Sequence, residues 1–215
     1  MIEAVIFDLD GVLIDSESAW DEVRREFVLE RGGRWHDHTQ RDMMGMSSVE
    51  WSRYIHDELG VDMPPAQISA EVARRLARLY RERLPLVPGA HDVVERLAAR
   101  WPLALASSSN RELIDLVLEA AHLAHYFGAT VSSEEVAHGK PAPDVYLEAA
   151  RRLEIQPSRC AAIEDSHNGI LSGAAAGMRV IAIPNREFAP GREARAKAAR
   201  VLESLDELTP EVIEG

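Results

Sequence analysis

Two carboxylates one residue apart, Asp8 and Asp10, close an apolar run from Ala4 to Phe7 and are followed by Gly11. Such a run reads as a short strand covered on both faces, and ionised acid at its mouth needs a metal, a partner or water to be tolerable. Two acids so spaced can divide the work, because different environments push their pKa values apart. The first can then serve as nucleophile or ligand and the second as acid or base. Taken alone, Asp-x-Asp also fits a calcium loop or an ordinary strand end.

Three more segments carry polar residues just after apolar runs. Leu103 to Ala106 leads into Ser107-Ser108-Ser109-Asn110 before a helix expected near Arg111, so hydroxyls and backbone N–H groups gather at a helix N-terminus. That arrangement suits an anion and equally suits an N-cap. The second segment is Gly139-Lys140-Pro141-Ala142-Pro143-Asp144. Among 24 basic residues only Lys140 and Lys197 are lysines, and a compact ammonium does work that a guanidinium does not. The loop is not a Walker loop, since it lacks the earlier glycine and continues into proline; an exposed lysine in a proline-rich loop is the other reading. Third, Ala161 to Ile163 ends in Glu164-Asp165-Ser166, then Asn168-Gly169. Adjacent acids after a buried strand suit a hard, oxygen-liganded cation such as Mg2+.

The elements that must position these residues fall into two patterns. From about Ser16 to Leu84 the period is helical, with Trp20, Val23 and Phe27 on one stripe and Ile68, Val72, Leu76 and Tyr80 on another. Between them Ser47 and Glu50 spell a capping box. From Pro88 helices alternate with short apolar strands near 103–106, 130–132, 161–163 and 180–183, which implies βαβ units and a parallel sheet. Because the first strand belongs to that later set, the fold class is α/β: a Rossmann-like parallel core of residues 1–15 and 88–215, with residues 16–87 as an inserted helical cap.

A formal charge of −12 lacks the basic face that nucleic acid requires, so a small diffusible partner is expected. No apolar stretch is long enough to span a bilayer, and one cysteine, Cys160, rules out an intrachain disulfide. With no leader pattern before the first strand, the expectation is a cytoplasmic protein. A monomer is expected, with a homodimer as the alternative.

In this order, acid pair, hydroxyl turn, lysine loop and acid pair, the chain resembles the haloacid dehalogenase superfamily, in its phosphatase and phosphomutase branch with a helical cap after strand 1. The resemblance covers essentially the whole chain. It implies that Asp8 attacks phosphorus to form an aspartyl phosphate and that Asp10 protonates the leaving alcohol and then activates water. It implies Mg2+ held by Asp8, the Asp10 backbone carbonyl and Asp165, with Glu164 binding directly or through water. Ser107, Lys140 and the backbone amides near Gly11 and Ser108 would hold the phosphoryl oxygens.

Within that branch Asp10 sets the chain apart from the dehalogenases, which lack an acid there. Residues 16–87 contain no lysine, which excludes the Schiff-base chemistry of the phosphonoacetaldehyde relatives. The β-phosphoglucomutases carry a histidine ten residues after the second acid and an arginine after a Gly-x-Ser motif, where this chain has Trp20 and Ser48. The segment Asp15-Ser16-Glu17 with Trp20 instead looks like that of hexitol and 2-deoxyhexose 6-phosphatases. Glu17 and Trp20 thus become candidate substrate contacts, Trp20 having cap core as its alternative. Asn110 stands where relatives touch the substrate's far end, or caps its helix. The expected function is Mg2+-dependent hydrolysis of a small phosphate ester, a sugar or sugar-alcohol phosphate. A β-phosphoglucomutase-like phosphotransferase and a non-catalytic metabolite-binding module are the alternatives.

Overall fold

Residues 1–44, 46–184 and 189–215 are described by a computed structural model. Six strands, β1 (Ala4–Phe7), β2 (Leu103–Ser107), β3 (Phe127–Ser132), β4 (Cys160–Glu164), β5 (Arg179–Ala182) and β6 (Arg200–Val201), form one sheet. Their order is β3-β2-β1-β4-β5-β6, and every pair is parallel.

Side chains alternate across a strand, and the sheet divides its apolar residues accordingly. Val5, Phe7, Leu103, Leu105 and Ile163 enter one core, covered by α5 (Ala90–Ala98) and α6 (Arg111–Ala120). Ala4, Ile6, Ala104 and Ala162 enter the other, covered by α7 (Asp144–Arg152) and α8 (His167–Ala175). All four residues of β1 are buried, as an unbroken apolar run predicts.

Among the described residues between β1 and α5 lie four helices, α1 (Glu17–Glu30), α2 (Thr39–Met43), α3 (Ser48–Asp57) and α4 (Pro65–Glu82). The Ser47–Glu50 capping box forms: the Ser47 amide donates to Glu50 Oε2 at 2.8 Å and the Glu50 amide to Ser47 Oγ at 3.4 Å. Phe27, Trp51, Ile55 and Ile68 from this block join the same core as Val5 and Phe7. Where the chain enters and leaves the insertion, its two passes lie side by side, with Asp15 N–H donating to Pro85 O at 2.7 Å and Val87 N–H to Leu13 O at 3.0 Å.

The five-residue α2 and the two-residue β6 are too short to show a period in the sequence. Lys197, the other lysine, lies in a turn after the four-residue α9 (Arg192–Arg195), although its arginine- and alanine-rich surroundings read as a solvated surface helix. Gly45, of the Gly-x-Ser comparison, lies outside the described residues.

Candidate active site

The strand order places a crevice between β1 and β4, because the chain runs outward from β1 through β2 and β3 and then returns to build β4, β5 and β6 on the other side. Open α/β sheets bind ligands at the carboxyl ends of strands at such a switch point. The register Phe7↔Ile163 sets Asp8 and Glu164 beside each other. Lys140, from the loop before α7, reaches in between them. Its Nζ donates to Asp8 Oδ1 at 2.8 Å and to Glu164 Oε1 at 2.6 Å.

The two adjacent acids at the end of β4 have opposite surroundings. Glu164 Oε1 also accepts from the Tyr146 hydroxyl at 2.8 Å, while Oε2 accepts from the Asp165 amide, the Ser166 amide and Ser166 Oγ at 3.1, 3.3 and 3.2 Å. Asp165 has both carboxylate oxygens buried without a partner among the described residues. Gly169 and Gly11 let the backbone come this close: a Cβ at either would stand 2.0 Å from a carboxylate oxygen of Glu164 or Asp165 respectively. At Gly11 the backbone also has a φ of +80°, which favours glycine.

Three buried carboxylates therefore face one ammonium. Burial, with the charges of Glu164 and Asp10 beside it, pushes Asp8 up to about 8 despite Lys140. Burial and the neighbouring Glu164 and Asp8 raise Asp165 well above the usual carboxylate range. Lys140 is held charged by Asp8 and Glu164 even though its own burial opposes charge.

Asp10 is gripped from both sides. Its Oδ1 accepts from Ser16 Oγ at 2.6 Å and from the Trp20 indole N–H at 2.9 Å. Its Oδ2 accepts from Ser109 Oγ at 2.6 Å and, more weakly, from Ser107 Oγ at 3.5 Å. These donors come from the start of the insertion and from the end of β2 and the turn that follows it.

Across from the strand ends stands a polar wall made by the insertion. The Arg24 guanidinium lies 4.2 Å from the Trp20 ring centroid and 4.7 Å from that of Trp51. Its Nη1 donates to Gln40 Oε1 at 3.4 Å, and Gln40 Nε2 donates to Glu17 Oε2 at 3.1 Å. Burial, and then the nearby Asp10, push Glu17 up to about 7; burial lowers Arg24 to about 10, so it stays charged at neutral pH. Between wall and strand ends lies a cavity with about 50 Å3 of room for the centres of water-sized groups. Asp8, Asp10, Lys140 and Asp165 bound it on the sheet side and Glu17, Trp20 and Arg24 on the other.

The haloacid dehalogenase-like hydrolase family matches this chain over residues 2–177, a span that carries every one of these groups. The chain belongs to that family. Hexitol phosphatase B of Escherichia coli (strain K12) is 35% identical over an alignment covering 100% of this hydrolase and 97% of that protein. The bifunctional riboflavin kinase/FMN phosphatase of Arabidopsis thaliana is 32% identical over 84% of this chain, which spans about half (48%) of that longer protein. Among solved structures, CbbY from Rhodobacter sphaeroides in complex with phosphate superposes with a TM-score of 0.87 at 28% identity, covering 100% of both chains. The chain is thus a haloacid dehalogenase-like hydrolase that is similar to proteins named as phosphatases.

The acidic cluster of the hydrolase fits a divalent cation. Asp8, Glu164 and Asp165 each offer an oxygen within 4.8 Å of the others, and hard cations of the Mg2+ type take carboxylate oxygens and keep several waters. The orphaned oxygens of Asp165 are the feature such an ion would satisfy. Glu164, a member of the same cluster, also has both oxygens accepting, one of them from Lys140.

Not every residue singled out in the sequence reaches the cavity. Ser108 lines it, whereas Ser107 is fully buried behind it, accepting from the Ser109 amide at 3.0 Å. The Gly11 amide donates to Ile14 O at 2.8 Å, inside its own turn. Asn110 points away: its Nδ2 donates to Ser69 Oγ at 3.1 Å and Glu134 Oε1 at 2.7 Å, and it makes no side-chain cap. Trp20 spends its one polar atom on Asp10. Residues that sequence reasoning passed over are Ser16, Arg24, Gln40, Ser109 and Tyr146. For Arg24 a signal existed, since positions 17, 20 and 24 share a helix face.

Proposed function

We propose that this hydrolase is a Mg2+-dependent phosphatase of a small phosphorylated metabolite, a sugar or sugar-alcohol phosphate, working through a phosphorylated Asp8. The observation that carries this reading is the Asp8–Lys140–Glu164 chain beside an Asp165 with two unsatisfied oxygens. A plain structural ion pair has no use for an uncompensated acid next to it, whereas phosphoryl transfer needs concentrated cationic charge. When bound, Mg2+ supplies positive charge between the anionic nucleophile and the anionic phosphate; Asp8, the Asp10 backbone carbonyl and Asp165 would hold it.

Asp8 then attacks phosphorus while Lys140 balances charge on the phosphoryl oxygens, aided by the backbone of Ser108; Ser107, buried behind the cavity, supports that turn by accepting from the Ser109 amide. Asp10, held by Ser16, Trp20 and Ser109, gives its proton to the leaving alcohol and later accepts one from the attacking water. Residues 16–87 form the cap that excludes bulk water. The Ser48–Glu134 hydrogen bond of 3.1 Å and the Asn110–Ser69 bond of 3.1 Å support this, because both join insertion to core. Trp20 supports hydrolysis over mutase chemistry, since an indole only donates and does not shuttle protons as an imidazole does.

The test is phosphate release from a panel of phosphorylated metabolites with Mg2+ or with EDTA. Release from at least one sugar or sugar-alcohol phosphate, lost in EDTA, is the expected result. Interconversion of hexose phosphates without net phosphate release would replace hydrolysis by the phosphotransferase reading.

A further inference from the structure

The cap wall contains an arrangement that the hydrolytic chemistry does not use. Arg24 is buried, its Nε has no partner, and no carboxylate lies within ion-pair distance of it among the described residues. A buried guanidinium without a direct counter-ion is costly, and here two tryptophan faces and one long bond to Gln40 are what it has. Glu17 is likewise buried, and among the described residues Oε2 alone accepts, from Gln40. The Gln40 amide, set behind the cavity, thus holds apart a cation and an anion that line it, with spare hydrogen-bonding capacity on each.

The geometry points to a subsite in which Glu17 and Arg24, positioned by Gln40, recognise a hydroxyl on the uncharged tail of the phosphate ester and turn away tails of either charge. A hydroxyl is the group that both donates and accepts, so it can give its proton to the Glu17 carboxylate and take one from the Arg24 guanidinium. An ammonium would meet Arg24, and a carboxylate or second phosphate would meet Glu17. An apolar tail fails differently, because it leaves both buried groups without partners.

This subsite rests on the phosphatase reading, and one experiment separates the two. Wild-type kcat/KM is measured with Mg2+ in a three-carbon and a six-carbon series, so that tail length and tail chemistry are varied independently. The series are glycerol 1-phosphate against propyl phosphate and 3-phosphoglycerate, and sorbitol 6-phosphate against hexyl phosphate, 6-phosphogluconate and glucosamine 6-phosphate. Within at least one series the neutral polyhydroxylated tail is expected to lead every other tail by about tenfold or more, the factor one lost polar interaction supplies. Glu17→Gln then raises the ratio of carboxylated to neutral tail by about tenfold, and Arg24→Gln raises the ratio of aminated to neutral tail. Ratios are insensitive to the fraction of a variant that folds. Phosphate release at equal efficiency whatever the tail would overturn the subsite and leave the phosphatase standing. Preference for a charged tail in both series would also overturn it. No release from any ester would remove the phosphatase reading and the subsite with it.

Discussion

The two sides of the cavity handle buried charge in opposite ways. On the sheet side Lys140 touches Asp8 and Glu164 at 2.8 and 2.6 Å, and the groups are pinned by strand register and by glycines that permit contact. On the insertion side Glu17 and Arg24 are kept apart by Gln40, and tryptophan faces stand in for a counter-ion. Direct pairing with one acid left over prepares a site for a cation and a phosphate. Separated charges of both signs prepare one for neutral, polar matter. The difference teaches that one cavity can bind a highly charged reacting group and an uncharged tail by changing how its ionised groups are spaced.

Breaking the sheet side should have the largest effect. Lys140→Ala leaves Asp8, Glu164 and Asp165 with no cation, so phosphate release is expected to fall about a thousandfold or more. The variant should also lose about 3–5 kcal/mol of stability in EDTA, the cost of orphaning a buried charge, read by urea unfolding. Asp165→Asn sharpens the same side by contrast. It removes a buried carboxylate that has no partner, so in EDTA the variant should melt higher than wild type, while the Mg2+-dependent rise in Tm seen for wild type disappears. Its activity should drop about a hundredfold. A Tm that rises with Mg2+ as much in the variant as in wild type would exclude Asp165 as a ligand.

On the insertion side the expected effects are smaller and depend on pH. Glu17 titrates near 4.5 when unfolded and about 7 when folded. The unfolded state therefore releases its proton first, and stability falls as pH rises from about 4.5 to about 7, then levels off. Glu17→Gln lacks that loss. The stability difference between variant and wild type should grow in the variant's favour across this window, approaching an upper bound of about 3 kcal/mol. A difference that stays flat from pH 4 to pH 8 would contradict the burial argument. The smallest effect is expected at the join: Ser48→Ala removes one hydrogen bond to Glu134, worth about 1 kcal/mol, and should shift KM by no more than about twofold.

What could be read in the sequence follows the same division. Asp8 and Asp165 stand at strand ends and Lys140 in the loop that leads from β3 to α7, and short apolar runs announce their own ends; with the strands parallel, these residues meet. Strand order, which puts β4 rather than β3 beside β1, is a long-range property that no local run encodes. The insertion wall was harder. Arg24 sits on the apolar stripe of α1, where an arginine among many arginines reads as a solvated surface charge. Its partner Gln40 lies on α2, whose five residues carry no period. Nor could spacing show that the Gly11 amide is used inside its own turn or that Asn110 faces Glu134, since both depend on backbone direction. The division of labour between Glu164 and Asp165 required hydrogen-bond geometry, because adjacent acids look alike until their neighbours are counted.

The central claim is that Asp8 becomes phosphorylated. The most direct measurement is mass spectrometry of peptides from acid-quenched enzyme after brief reaction with a turning-over ester and Mg2+, for wild type and for Asp8→Asn. One added phosphoryl group is expected on the peptide containing Asp8 in wild type and not in the variant, whose phosphate release falls about a thousandfold or more while its melting curve remains cooperative. Asp8→Asn retaining full Mg2+-dependent turnover, or a phosphoryl group found on a different residue, would contradict the account.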